Sequence, residues 1–117
     1  MRPTYEDFKL DDCIKHLNFA MTHKQKFRGH NLVWGAHNPD WLTNFSGTAD
    51  ELEDIMEEHI RTVMENVPLL AGDKNKALFA WDVVNEAITS FEETDLYKSN
   101  IWYDNIPDYV EKAFAYA

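Results

Sequence analysis

Leu78-Phe79-Ala80-Trp81-Asp82-Val83-Val84 is a nearly continuous apolar run, and Asn85-Glu86 stands where the chain leaves it. A short run of this kind suits a strand buried on both faces, as in a parallel sheet. On its N-terminal side, Leu52, Ile55, Met56, Ile60, Val63, Met64 and Val67 recur at helical spacing. That helix is expected to open at Thr48, because Thr48-Ala49-Asp50-Glu51 has the form of a capping box, and to stop at Pro68. The polar stretch 71–76, with Gly72, then leads into the strand. Further out, Phe27-Arg28-Gly29-His30-Asn31-Leu32-Val33-Trp34 reads as another short strand, and the segment 35–47 as a loop punctuated by Pro39, Asn44 and Gly47. A first helix is expected over 11–24, capped by Asp11 or Asp12, with Ile14, Leu17, Ala20 and Met21 on its apolar face. After Glu86 a long loop runs to about Asn105. Pro107 then fits the first position of a last helix with Val110, Ala113, Phe114 and Ala117 on one face. The order helix, strand, helix, strand, helix predicts an α/β fold of parallel strands alternating with helices. No repeat, low-complexity linker or change of composition divides the 117 residues into two domains.

Composition narrows the partners. A formal net charge of −10 argues against nucleic acid and against anionic membrane surfaces, both of which need clustered Lys and Arg. The acidity itself promotes solubility and is compatible with a neutral polysaccharide without implying one. Four Trp, five Tyr and seven Phe suit a carbohydrate site, where sugar C–H faces stack on rings, and equally suit an ordinary core. A lone cysteine, Cys13, excludes an internal disulfide framework and a Cys-based zinc site. The five histidines show no zinc-ligand spacing with a carboxylate. No long apolar run spans a membrane, and Met1-Arg2-Pro3 is followed by acidic and polar residues rather than a signal sequence. Asn44-Phe45-Ser46 forms an N-glycosylation triplet, a weak pointer toward secretion.

Chemistry concentrates at the strand ends. In βα barrels the site is built where strands finish, so Glu86, beside the amide of Asn85 and near Trp rings, is placed to act. A carboxyl partly withdrawn from water there can hold a proton and donate it to a leaving oxygen. The competing reading is a solvated residue that simply opens a loop.

The longer pattern separates these readings. Trp81-Asp82-Val83-Val84-Asn85-Glu86 closely resembles the acid/base motif of family 10 endo-β-1,4-xylanases, and Arg28-Gly29-His30-Asn31-Leu32-Val33-Trp34 resembles the same family's preceding strand. Pro39 and Trp41 follow at the family's spacing. Asp108-Tyr109-Val110-Glu111-Lys112-Ala113-Phe114 is similar to the helix after the acid/base strand, and Met1-Arg2-Pro3 to a segment after the second strand. The resemblance implies a partial (β/α)8 TIM barrel: residues 1–117 as part of a catalytic domain, covering about the third and fourth strands and their helices. It makes Glu86 the catalytic acid/base, Asn85 a contact to the sugar at the cleavage site, and His30 and Trp34 the lining of the subsite that holds the attacked sugar. Trp81 and Asp82 are expected to be structural, Asp82 as an internally hydrogen-bonded carboxylate. The implied substrate is xylan or xylo-oligosaccharide, with no cofactor and no metal, and the implied location is secreted.

Two departures stand out. Gly35-Ala36-His37 replaces the family's His-Ser-Gln, so His37 takes the place of an amide that touches a sugar hydroxyl, and Gly35 removes a side chain from the local hydrogen-bond network. In addition, a retaining glycosidase needs two carboxyls, and no segment here resembles the family's nucleophile strand. The expectations that follow are an enzyme piece bearing one half-site and inactive alone, a sugar-binding remnant without turnover, or a fragment that self-associates or pairs with a complementing piece to cover its open sheet.

Overall fold

The computed structural model describes residues 1–72, 74–90 and 95–117. Its elements are α1 (Asp11–Thr22), β1 (Phe27–Trp34), α2 (Asp40–Thr43), α3 (Ala49–Ala71), β2 (Leu78–Asn85), α4 (Ile101–Asn105) and α5 (Tyr109–Tyr116). The strands are parallel neighbours, in register from Phe27↔Leu78 to Trp34↔Asn85, with irregularities at Phe27/Arg28 and between His30 and Val33. The α/β alternation expected from the sequence is therefore present.

The long helix α3 organises the core. Thr48 caps it reciprocally: its hydroxyl accepts from the Glu51 amide, and the Glu51 carboxylate accepts from the Thr48 amide. Leu52, Ile55, Met56, Ile60, Val63 and Val67 form its buried stripe, which packs toward α1 and β1. On its flank, Glu53 accepts from Lys112 Nζ at 2.5 Å and from Tyr116 Oη at 2.6 Å, which fastens α5 to α3. Those bonds hold the Glu53 carboxyl below its usual range and push the Tyr116 hydroxyl up to about 12. Ahead of α1, buried Arg2 donates to the carbonyls of Tyr5 and Ile55 and pairs with Glu58, so the N-terminal segment also docks on α3.

Several local expectations need correction. Pro68 does not stop α3, which continues to Ala71. With Val67 buried, and Gly72 N–H closing the end onto the Pro68 and Leu69 carbonyls, the last turn survives the missing donor. Helix α1 has no side-chain cap; Leu10 holds that position, and Asp11 and Asp12 lie in the first turn, where their charge suits the helix dipole. Met21 and Phe114 are exposed rather than inward, and Tyr109 takes the core position on α5. Two short helices, α2 and α4, occupy stretches read as loop. Residue 73 of the expected polar loop and residues 91–94 of the long loop lie outside the described residues.

The strand β2 is not buried on both faces. Only Val83 is buried, and Phe79 is 62% exposed. Helices cover one face of the sheet, where Trp81 lies over Gly29 so closely that a Cβ on Gly29 would sit 2.1 Å from the indole. The opposite face carries Arg28, His30 and Asp82 and has no second layer among the described residues.

Candidate active site

Register brings the ends of β1 and β2 together, with Trp34 opposite Asn85 and Glu86 one residue beyond. Glu86 has φ +52°, in the left-handed region that a residue with a Cβ rarely adopts. Such strain persists only where surroundings impose it, and it clusters at functional sites. The Trp34 indole Nε1 donates to Glu86 Oε2 at 3.2 Å, so the two strand ends are joined side chain to side chain. Among the described residues no hydrogen bond engages the other carboxylate oxygen. Glu86 is exposed, so the withdrawal from water expected of it is not supplied by the described residues, which place no covering layer on this face.

Below this pair lies a polar row. Asp82 Oδ2 is 2.9 Å from His30 Nδ1, and Asp82 Oδ1 is 3.3 Å from Arg28 Nε. The carboxylate engages the Nδ1 edge of His30, and Nε2 lies 3.4 Å from Asn31 Nδ2. Asp82 is the internally bonded carboxylate that its position on the strand suggested, and with both oxygens engaged it is a poor candidate for a second reacting group. The His30 ring lies 6.3 Å from Trp34. His37 also reaches this ring, 4.8 Å away between centroids, from a backbone with φ +56°. The structure therefore gathers Glu86, Trp34, His30 and His37 on one side of the strand ends. Asn85 joins them through the backbone register.

Three residues that sequence reasoning does not single out hold the end of β1. Trp102 Nε1 donates to the Trp34 carbonyl at 2.9 Å, and Asn38 Nδ2 to the same oxygen at 3.1 Å. Asn100 caps α4 by accepting from the Trp102 and Tyr103 amides. An Asn ahead of an aromatic pair is a legible cap signal, but it lies inside a segment read as loop. Behind β1, a cavity of about 330 Å³ opens between the N-terminal segment and α3, lined by Arg2, Leu32, Trp41, Met56, His59 and Trp102 among others, and Glu86 does not border it. Among the described residues no group of three or more His, Cys, Asp or Glu converges as metal ligands would.

Comparison with known proteins gives one answer. Residues 1–117 match the family model described as glycosyl hydrolase family 10. The endo-1,4-beta-xylanase B of Thermotoga neapolitana is 33% identical over 118 residues, covering 100% of this chain and 31% of its own length. The beta-1,4-xylanase of Dictyoglomus thermophilum is 36% identical over 117 residues, covering 99% of this chain and 30% of its own. Among solved structures, the intracellular xylanase of Thermoanaerobacterium saccharolyticum, a glutamate-to-alanine mutant in complex with xylotriose, superposes with a TM-score of 0.89 at 32% identity, over 100% of this chain and 37% of that one. The chain thus spans about a third of the length of these relatives. The expectation of secretion is overturned: it rests on the family resemblance, and this similar xylanase is intracellular.

Proposed function

Because the chain belongs to glycosyl hydrolase family 10, we propose that it carries the acid/base half of a retaining endo-β-1,4-xylanase site, with Glu86 as the proton donor. The observation that carries this reading is the placement of Glu86: at the C-terminal end of β2, in a left-handed conformation, bonded by Trp34 from the neighbouring strand end. On this reading β1 and β2 are consecutive strands of a (β/α)8 barrel, whose site lies at the strand C-termini, and residues 1–117 are part of its catalytic domain. Similar xylanases bound to xylotriose and xylotetraose point to xylan or xylo-oligosaccharide as substrate.

The chemistry divides in two. Glu86 protonates the glycosidic oxygen as the sugar–oxygen bond breaks, then takes a proton from the water that releases the sugar. A retaining mechanism needs a second carboxylate about 5–5.5 Å away to attack the anomeric carbon. Asp82 is engaged by Arg28 and His30, and no segment resembles the family's nucleophile strand, so on this reading the nucleophile is supplied by another segment of the barrel. His30 and Trp34 line the subsite of the attacked sugar, Asn85 contacts that sugar at the cleavage site, and His37 meets a hydroxyl further away. The 117 residues alone then give no turnover. The bare sheet face, with no second layer among the described residues, favours association with a second copy or a complementing piece.

The test is Glu86→Gln in a barrel completed by complementing segments. Cleavage of unactivated xylan should fall by about 10²–10⁴, the usual worth of general acid catalysis, while bond cleavage in an aryl xyloside with a good leaving group should suffer far less. Equal, slight losses on both substrates would remove Glu86 from this role.

A further inference from the structure

Between β2 and α5 lies the short helix α4, whose place in the fold is set by an unusual contact. Gly35 follows Trp34 directly. A Cβ on Gly35 would meet the Cβ and Cγ of Asn100 at 2.8 Å and its Nδ2 at 2.9 Å. The Asn100 side chain therefore occupies space that any residue other than glycine would claim. From there its Oδ1 accepts from the Trp102 and Tyr103 amides, at 2.9 and 3.2 Å, and its Nδ2 donates to the Lys98 carbonyl at 2.7 Å. The cap fixes the first turn of α4, and that turn carries Trp102, which is 4% exposed. The Trp102 indole N–H then reaches the Trp34 carbonyl at 2.9 Å.

Trp34 is thereby held from two sides. The ladder with Asn85 fixes it on the sheet side, and the donors of Trp102 and Asn38 fix its carbonyl on the other. Its indole N–H is the group that meets Glu86 Oε2. A reacting group is only as well placed as the residues that lock its neighbours. We propose that Trp102, seated by the Asn100 cap against Gly35, is a positioning residue for Glu86 and acts through Trp34. This rests on the proton-donor reading of Glu86, and it explains the Gly35 departure: the missing side chain makes room for the brace.

The experiment uses the 117-residue chain and needs no turnover. The Trp34 indole N–H resonance, assigned by its loss in Trp34→Phe, is followed as pH is taken through the carboxylate range. In the unsubstituted chain it should move with a carboxyl titration that vanishes in Glu86→Gln. Trp102→Phe keeps an aromatic side chain, smaller by one ring, and drops the donor; most of that movement should be lost while the chain stays folded. Gly35→Ala attacks the same brace from its other end by pushing on Asn100, and should do the same. If Trp102→Phe does not fold, Gly35→Ala decides. Undiminished movement in a folded variant overturns the proposal, as does a Trp34 resonance that ignores Glu86→Gln. Failure of the proton-donor reading is separately visible, because it is read from xylan cleavage by a completed barrel.

Discussion

On the helix-covered face of the β1–β2 sheet, Leu17, Met56, Ile60, Val63 and Val67 are shut off from water, whereas on the opposite face the side chains of Arg28 and His30 are 64% and 55% exposed. The first face is apolar and close-packed. The second is a row of charges and rings: Arg28 forms an ion pair with Asp82, His30 is hydrogen-bonded to the same carboxylate, and Trp34 is hydrogen-bonded to Glu86. Burial of each large apolar side chain contributes about 1.5–3 kcal/mol, whereas exposed ion pairs contribute about 0–1 kcal/mol. Stability and the proposed chemistry therefore reside on different faces. Folding is driven from the α3 side, and the proposed reacting groups sit on a face to whose stability they add little.

This division is most severely disturbed from the core. Met56→Ala or Ile60→Ala should destabilise the chain by about 2–5 kcal/mol, through lost transfer energy plus a cavity. Urea unfolding with an unchanged slope measures it. A loss below about 1 kcal/mol would mean that the core is not the source of stability. A second handle on the same side is His59, which stacks on Phe8 at 5.9 Å. Burial, aided by the Arg2 guanidinium, lowers its imidazole from 6.5 to about 4. Between those values the unfolded chain binds a proton that the folded chain refuses. Stability should therefore fall as pH drops from 6.5 towards 4, by up to about 3 kcal/mol, and the contribution should level off below that. His59→Gln should remove that part of the slope. Parallel pH–stability curves for the two proteins would show that His59 is not held neutral by the core.

A substitution on the other face should have the opposite sign. Glu86 pays for its left-handed backbone, so Glu86→Gly should stabilise the chain by about 0.5–1 kcal/mol once the extra freedom of unfolded glycine is subtracted. An upward shift of the urea midpoint would deepen the divide between the faces. A shift downward by more than about 1 kcal/mol would show that the bond to Trp34 is structural after all.

Much of this two-faced arrangement is legible in the sequence. The span of β1, the α3 cap and the order of elements follow from apolar periodicity and from the chemistry of Thr48 and Glu51. The approach of Trp34 to Glu86 follows once two parallel strands end side by side. The rest depends on tertiary context. Nothing in the sequence marks Gly35 as the seat of Asn100, since the two are brought together only by the fold. The partial exposure of β2 is hidden for a related reason: its apolar pattern is that of a strand covered on both sides, and the described residues cover only one. Pro68 misleads because propensity penalises it in any helix interior, whereas three further residues here still complete a turn.

The smallest expected effect concerns His37. Its ring rests on Trp34 at 4.8 Å, and it is exposed, on a loop with φ +56°. An exposed ring of this kind contributes little to packing, so His37→Ala should change stability by no more than about 0.5 kcal/mol. Its effect should appear in binding instead. An imidazole can donate to or accept from a sugar hydroxyl, and here it restricts the indole that bonds Glu86 without itself being hydrogen-bonded to the carboxylate. In a completed barrel, His37→Ala should raise KM for short xylo-oligosaccharides with a smaller change in kcat, the signature of binding shared by ground and transition states. Long xylan, held at many other subsites, should show less of this loss. A large fall in kcat at unchanged KM would place His37 with Glu86 in the chemical step. The divide would then run between His37 and the core, with the loop counted as part of the reacting face rather than its rim.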